Sequence, residues 1–168
     1  AATSHAVTVR VTDRGGLTYD ETFTINLTNV NEAPSGTNAT VTITEDTAHV
    51  LTAANFGFSD VDAGDALSAV RIDTLPTAGT LTLSGTAVTA GQVITTADLA
   101  AGQLVFTPAA DASGTGYARM TFSVRDSTSL YDPTPNTLTV NVTAVNDRPT
   151  DLSLSANTVA EHAANGTV

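Results

Sequence analysis

The sequence contains no cysteine, no tryptophan and no lysine, and aromatic residues make up only 5% of its 168 residues. Without cysteine there are no disulfides and no thiolate for catalysis or metal binding. A β-domain without disulfides has to be held together by its hydrophobic core or by bound metal. The shortage of aromatic residues argues against a platform on which sugar rings could stack.

Positive charge and long apolar runs are also scarce. There are 17 acidic residues against 6 arginines, which gives a net charge of −11, and no apolar run approaches the length of a membrane span. Such a chain repels phosphates, so we expect neither nucleic acid nor an anionic membrane as partner, and no membrane insertion. Of the acids, 13 are Asp, a residue that serves both as a turn former and as a ligand of hard cations.

The sequence has none of the common catalytic signatures. The three histidines, His5, His49 and His162, are predicted to be surface residues, and neither the HExxH nor the GxSxG pattern occurs. Pairs of carboxylates could indicate a glycosidase, but the acids are expected at the domain ends, where no enclosed sugar-sized cleft is predicted. We therefore predict that the protein is not an enzyme.

Alternation of apolar and polar residues dominates the chain and predicts an all-β protein. Only 96–101, about one turn, has a helical pattern. Within the central part we predict seven strands, with a longer excursion between the fourth and the fifth, and these strands suggest a two-sheet sandwich. The predicted strands are 39–45, 48–56, 67–73, 79–83, 103–107, 117–125 and 136–145. The residues expected to fill the core are Phe56, Phe58, Phe106, Tyr117 and Phe122.

The chain also repeats itself. Residues 7–13 match 120–126 at an offset of 113, and residues 23–34 match 138–149 at an offset of 115. The segment after Pro149 matches the segment after Pro34. We therefore expect one complete module at 35–149, preceded at 1–34 by the last two strands and linker of another repeat. Residues 150–168 would be the first strand of a following repeat, so the sequence reads as an excerpt of a longer array.

Antiparallel strands traverse a sandwich from end to end, so the strand order predicts which acids meet. Each end of the sandwich should carry one group of acidic residues. Carboxylates gathered in this way repel one another unless a cation lies between them. The first group is Asp60, Asp62, Asp65 and Asp126 with the linker residues Asn31 and Glu32. The second group is Glu45 and Asp111 with the linker residues Asn146 and Asp147.

The Asp60 loop allows two other interpretations. It begins like an EF-hand loop, but Gly64 lies one position too early and Arg71 stands where the twelfth-position Glu belongs, so an EF-hand is rejected. The same aspartates could form only a polar turn, since Asp bonds its own backbone.

The order of these motifs resembles the cadherin repeat. Glu45 after a strand, Asp60-x-Asp62 in a loop, Asp126 after another strand and Asn146-Asp147-x-Pro149 at the exit are placed like cadherin calcium motifs. Segments 42–46, 58–65, 102–108 and 121–126 are similar to the cadherin-like repeats of large RTX-type bacterial adhesins and related repeat-rich surface proteins. The resemblance implies a seven-stranded Greek-key sandwich, cadherin- or Ig-like, with Ca²⁺ bound at the joints.

Family membership would imply a secreted or cell-surface module in which Ca²⁺ stiffens the joints between adjacent repeats. Asn29 and Ala144 stand where the cadherin linker has Asp, and Asp111 is alone where cadherins carry an acid–Arg–acid triplet, so fewer or more weakly bound ions per joint are expected. Each joint lacks the ligands of its neighbouring module, which predicts weaker calcium binding than in a two-module chain. A carbohydrate-binding module, for exopolysaccharide or host glycan, is the alternative function.

Overall fold

The computed structural model describes residues 4–147 in two parts, an N-terminal hairpin and a β-sandwich joined by a linker. The hairpin consists of β1 (Ser4–Thr12) and β2 (Thr18–Asn26), paired antiparallel. Pro149, His162 and the expected strand of a following repeat lie outside the described residues. Within the described part, no helix is both long and apolar enough to cross a membrane.

Two sheets form the sandwich. The order of the first sheet is β3-β11-β10-β5-β8, with β3 parallel to β11 and all other neighbours antiparallel. Its strands are β3 (Ala39–Thr44), β5 (Ala69–Thr74), β8 (Val93–Thr95), β10 (Gly114–Arg125) and β11 (Asn136–Thr143). The order of the second sheet is β4-β9-β6-β7. Its strands are β4 (His49–Val50), β6 (Thr80–Leu83), β7 (Thr86–Ala87) and β9 (Leu104–Thr107). The predicted all-β, two-sheet architecture is confirmed.

The core lies between the sheets and is built from every second residue of their strands. Phe56, Phe106 and Phe122 are among its largest fully buried side chains, and the rings of Phe56 and Phe122 meet edge to face with centroids 4.9 Å apart. Phe58 and Tyr117 are partly buried and pack against it. The aromatic core predicted from the sequence is therefore confirmed, with two of its members at the margin.

The second predicted strand, 48–56, is wrong over most of its length. The ladder stops after Val50, and a 3₁₀ turn follows at Ala53–Asn55. The side chain of Asn55 causes this change, because its Oδ1 accepts a hydrogen bond from the backbone N–H of Thr52 at 2.7 Å. A local side-chain bond of this kind competes with strand pairing.

The excursion between β6 and β9 is ordered into β7, β8 and a short helix, α1 (Thr96–Ala100). The helix begins where the sequence predicted it, because Thr95 and Asp98 form a reciprocal capping box. Strand β8 pairs with β5 and so extends the five-stranded sheet. The strand content of this excursion was not predicted.

Replacing Phe122 by Ala should lower the free energy of unfolding by about 3–5 kcal/mol, because a fully buried ring is lost and leaves a cavity beneath Phe56. Urea unfolding followed by far-UV circular dichroism measures the loss. The matched control is Thr40→Ala on the exposed face of β3, which should cost about 1 kcal/mol or less. Equal costs for the two variants would contradict the core assignment.

Candidate metal centres at the two ends of the sandwich

The loop between β4 and β5 gathers three aspartates. Asp60, Asp62 and Asp65 each place one carboxylate oxygen within 4.8 Å of the others. Oδ1 of Asp60 accepts a hydrogen bond from the backbone N–H of Asp62 at 2.9 Å, which folds the chain back on itself. The loop therefore brings together three negative charges that a straight strand would hold apart.

Asp126 joins this first end from the first position of the β10–β11 loop, directly after Arg125. Its side chain is buried, Oδ1 accepts from the N–H of Leu130 at 2.8 Å, and Oδ2 accepts from the side-chain amide of Asn31 at 3.2 Å. The neighbouring hydroxyl of Ser127 donates to Oδ1 of Asp65. The first end thus unites the β4–β5 loop, the β10–β11 loop and the linker.

Hydrogen bonds tie the linker to the aspartates of this end. The Asn29 amide donates to Oδ1 of Asp62 at 2.5 Å, and the backbone N–H of Glu32 donates to Oδ2 of Asp62 at 2.8 Å. Ser35 and Ser59 exchange two backbone hydrogen bonds of 2.9 Å each. Glu32 is therefore brought to the cluster by its backbone, and its own side chain is exposed.

These donors stabilise the ionised carboxylates. The hydrogen bond from Asn29, followed by that from the N–H of Glu32, lowers the pKa of Asp62 below its ordinary value. Burial by itself raises the pKa of Asp126, but hydrogen bonds from Asn31, Leu130 and Thr128 outweigh it, and the pKa is lowered. Both side chains therefore carry negative charge at neutral pH.

One oxygen of the first end lacks a partner. Oδ2 of Asp60 is buried, and no atom of the described residues donates a hydrogen bond to it. A buried carboxylate oxygen without a partner is unfavourable, and in native proteins such an atom calls for an ion, a water molecule or strain. Hard cations such as Ca²⁺ take their ligands from oxygens of this kind, so the residues present fit a calcium ion.

The opposite end gathers a second group of acids. Glu45, Asp46 and Asp147 each place one oxygen within 4.8 Å of the others. Glu45 is buried, and its Oε1 accepts from the backbone N–H of Val145 at 2.7 Å. The N–H of Asp111 donates to Oδ1 of Asp46 at 3.0 Å, which brings the β9–β10 loop to the same place.

Asn146 has a weaker connection to this second end. Its side-chain amide donates to the backbone oxygen of Asp147 at 3.4 Å, and the residue is exposed. The structure therefore brings Glu45, Asp111 and Asp147 together, whereas the only bond of the Asn146 side chain among the described residues is this one to the backbone of Asp147, and none reaches a carboxylate of the cluster.

The second end is electrostatically unfavourable. Desolvation, followed by the negative charges of Asp111, Asp46 and Glu45, raises the pKa of Asp147 above its ordinary value of 3.8. This direction is opposite to the one found for Asp62 and Asp126 at the first end. A cation between these carboxylates would remove the repulsion.

Sequence reasoning missed two acids. Asp46 belongs to the second cluster, and it lies next to Glu45 in the sequence, so the acidic pair was the signal. Asp132 is buried in the β10–β11 loop, where it accepts from the N–H of Gly36 at 2.6 Å and from the Asn136 amide at 2.8 Å. It fixes the chain just after Pro34. No sequence pattern distinguished it from an ordinary Asp-Pro turn.

Without metal, Asp147→Asn should stabilise the protein at neutral pH. The raised pKa of Asp147 means that its ionised form opposes folding, and this penalty is relieved as the pH falls through the folded-state pKa. The gain in stability of the variant should therefore vanish below pH 3.8, the ordinary pKa of an aspartate. Thermal unfolding midpoints of both proteins in EDTA, at neutral pH and below pH 3.8, measure the gain.

The control for this experiment is Asp62→Asn, which should have the opposite effect. The lowered pKa of Asp62 means that its ionised form favours folding, so the variant should be destabilised at neutral pH. If both variants shift the unfolding midpoint in the same direction, the two ends do not differ as described.

Comparison with known proteins agrees with this architecture. The family model described as "cadherin-like domain" matches residues 30–143, more than half of the chain and nearly the whole sandwich with its linker. A search of curated proteins finds no match. The matched range includes both acidic clusters except for Asp147. The chain therefore belongs to the cadherin-like domain family.

Proposed function

We propose that the protein is a calcium-binding structural and adhesion module whose ions stiffen the joints between adjacent repeats. The observation that carries this proposal is the buried Oδ2 of Asp60, which has no hydrogen-bond partner within residues 4–147 and lies beside the carboxylates of Asp62 and Asp65. These three carboxylates, one of which has an oxygen without a hydrogen-bond partner among the described residues, supply part of the six to eight oxygen ligands that Ca²⁺ takes.

At the first end, the ion would be held by two loops and the linker together. The ligand set that we propose there is Asp60, Asp62, Asp65 and Asp126, with Asn31 and Glu32 from the linker. The loops belong to the sandwich, whereas the linker leads to the preceding hairpin. One ion bound to both would resist bending at the joint.

At the second end, the proposed ligands are Glu45, Asp46, Asp111 and Asp147, with Asn146 as the linker residue next to them. The raised pKa of Asp147 indicates the charge that an ion would neutralise. Because Glu45 also bonds the N–H of Val145, the exit of the chain is already aligned with this site.

The family sets the wider context of the proposal. Cadherin-like domains are generally structural or adhesive modules and are typically extracellular. We propose that this chain belongs to a large secreted or cell-surface bacterial repeat protein of the RTX adhesin type, that its partners are adjacent repeats, and that it has no catalytic activity.

Calcium should raise the thermal unfolding midpoint, and EDTA should reverse the change. At a free calcium concentration about 100 times the dissociation constant, one site contributes about 2.7 kcal/mol, which for a domain of this size corresponds to a shift of about 5–20 °C. Asp60→Asn should lose most of the shift that depends on the first end, because it removes the charge at the orphaned oxygen.

Asp20→Asn is the matched control, since Asp20 is an exposed carboxylate on β2 that is paired with Arg10 at 2.7 Å and takes no part in either cluster. It should retain the full calcium-dependent shift. Superimposable melting curves in millimolar calcium and in EDTA would refute the proposal.

A further inference from the structure

The N-terminal hairpin has the same strand register as the β10–β11 hairpin of the sandwich. The sequence repeat aligns β1 with β10 at an offset of 113 and β2 with β11 at an offset of 115. Under these offsets, the cross-strand pair Val7–Phe23 corresponds to Met120–Leu138, and both pairs are present. The pairs His5–Ile25 and Val9–Glu21 correspond in the same way to Ala118–Val140 and Phe122–Asn136.

The turns after β1 and β10 are also equivalent. In the first, the N–H of Leu17 donates to Oδ1 of Asp13 at 2.9 Å, and the N–H of Asp13 donates to the oxygen of Leu17 at 2.9 Å. In the second, Leu130 and Asp126 exchange the same two bonds at 2.8 and 3.0 Å.

The backbone torsions of the two turns agree as well. Gly16 and its equivalent Ser129 have φ of 86° and 81°, so both turns pass through the left-handed region at the same position. The two extra residues of the second hairpin follow Leu130. Strands, register and turn are therefore those of one structural unit that occurs twice.

The two hairpins differ in what covers their apolar face. On β10 and β11, the inward residues are buried, with Met120 at 1% and Phe122, Leu138 and Val140 at 0% exposure. The equivalent residues of the N-terminal hairpin are half exposed, with Val7 at 42%, Val9 at 46%, Phe23 at 53% and Ile25 at 52%. A contiguous apolar face of this kind marks an interaction surface.

The opposite face of the N-terminal hairpin is polar. Thr8 and Thr22 share a hydrogen bond of 2.9 Å, and Arg10 and Asp20 form an ion pair of 2.7 Å. An isolated two-stranded sheet is only marginally stable in water, so the apolar face needs a cover.

The sandwich shows what that cover is. The face of β10 and β11 is covered by the four-stranded sheet, which contributes Leu81, Leu104 and Phe106, and by Phe56, whose ring lies against Phe122. We infer that the apolar face of the N-terminal hairpin receives the four-stranded sheet of another copy of this module, placed before it in an array. This inference rests on the proposed function only in treating the chain as part of a repeat array.

Pairing of two N-terminal hairpins face to face is the competing arrangement. It would bring Glu21, which lies on the same face as Val9, into an apolar contact in both copies. The net charge of −11 per chain also opposes association of two copies. In the sandwich the position of Glu21 is occupied by Asn136, which is half-buried at the margin of the core. Charge therefore favours the preceding module as the occupant.

The experiment is to place residues 35–113 directly before Ala1 of the full chain. By the offset of 113, this supplies the hairpin with the strands that precede β10 in the sandwich. Hydrogen exchange measured by mass spectrometry on the hairpin peptides is the readout. Its amides should exchange at least about 100-fold more slowly than in the original chain, because exchange then requires unfolding of a module.

Val9→Glu and Thr8→Glu are the matched pair of variants in the two-module chain. Val9 lies on the apolar face and Thr8 on the polar face of the same strand. Val9→Glu should return the hairpin to fast exchange, whereas Thr8→Glu should leave it protected. The downstream sandwich should remain folded in both and serves as the internal reference.

Three results would overturn the inference. They are unchanged exchange of the hairpin in the two-module chain, equal effects of the two variants, and dimerisation of the original chain that Val9→Glu abolishes and Thr8→Glu does not. Exchange is measured in EDTA and again in calcium. If the hairpin amides are protected to the same extent in EDTA and in calcium, the result supports packing of the hairpin against the preceding module. The same result counts against the proposed role of calcium.

Discussion

Repulsion between carboxylates is the constraint on which the arrangement of both domain ends depends. At the first end, hydrogen bonds from N–H groups partly offset this repulsion. The side-chain amide of Asn29 and the backbone N–H of Glu32 donate to Asp62, and the side-chain amide of Asn31 donates to Asp126. Oδ2 of Asp60 receives no such bond from the described residues. At the second end, desolvation and then the charges of Asp111, Asp46 and Glu45 raise the pKa of Asp147. The two ends of the sandwich therefore differ in how far their negative charge is already stabilised by hydrogen bonds.

The sandwich brings these acids together by the way its strands are ordered. Because β3 runs parallel to β11, Thr44 lies beside Thr143, and both strands end at the same edge. Glu45 then follows directly, with its N–H bonded to the oxygen of Thr143 at 3.0 Å and its carboxylate bonded to Val145. The exit linker is thus aligned by backbone pairing. Antiparallel pairing of the same two strands would have placed Glu45 at the opposite end, far from Asp147.

The internal repeat allows the two linkers of the chain to be compared residue by residue. The N-terminal hairpin and the β10–β11 hairpin share register and turn, so the offset of 115 that relates β2 to β11 also relates the residues that follow them. At these positions Asn29 corresponds to Ala144. The amide of Asn29 reaches Asp62, whereas the methyl group of Ala144 offers no hydrogen bond. The two linkers therefore differ at this position in whether the side chain can donate a hydrogen bond.

The amino-acid sequence by itself determined the all-β class, most of the strands, the aromatic core and the internal repeat, because the two-residue alternation and the matching segments are local signals. It also indicated which acids follow strand ends. The early end of β4 at Val50 has a local cause that the alternation does not show, the bond from the N–H of Thr52 to the side chain of Asn55. The pairing of β8 with β5 was decided only by the tertiary structure. The tertiary structure alone added Asp46 to the second cluster, buried Asp132 against Gly36 and left Oδ2 of Asp60 without a partner among the described residues. Those features depend on which loops touch in space, and contacts between residues distant in the chain have no local sequence signature.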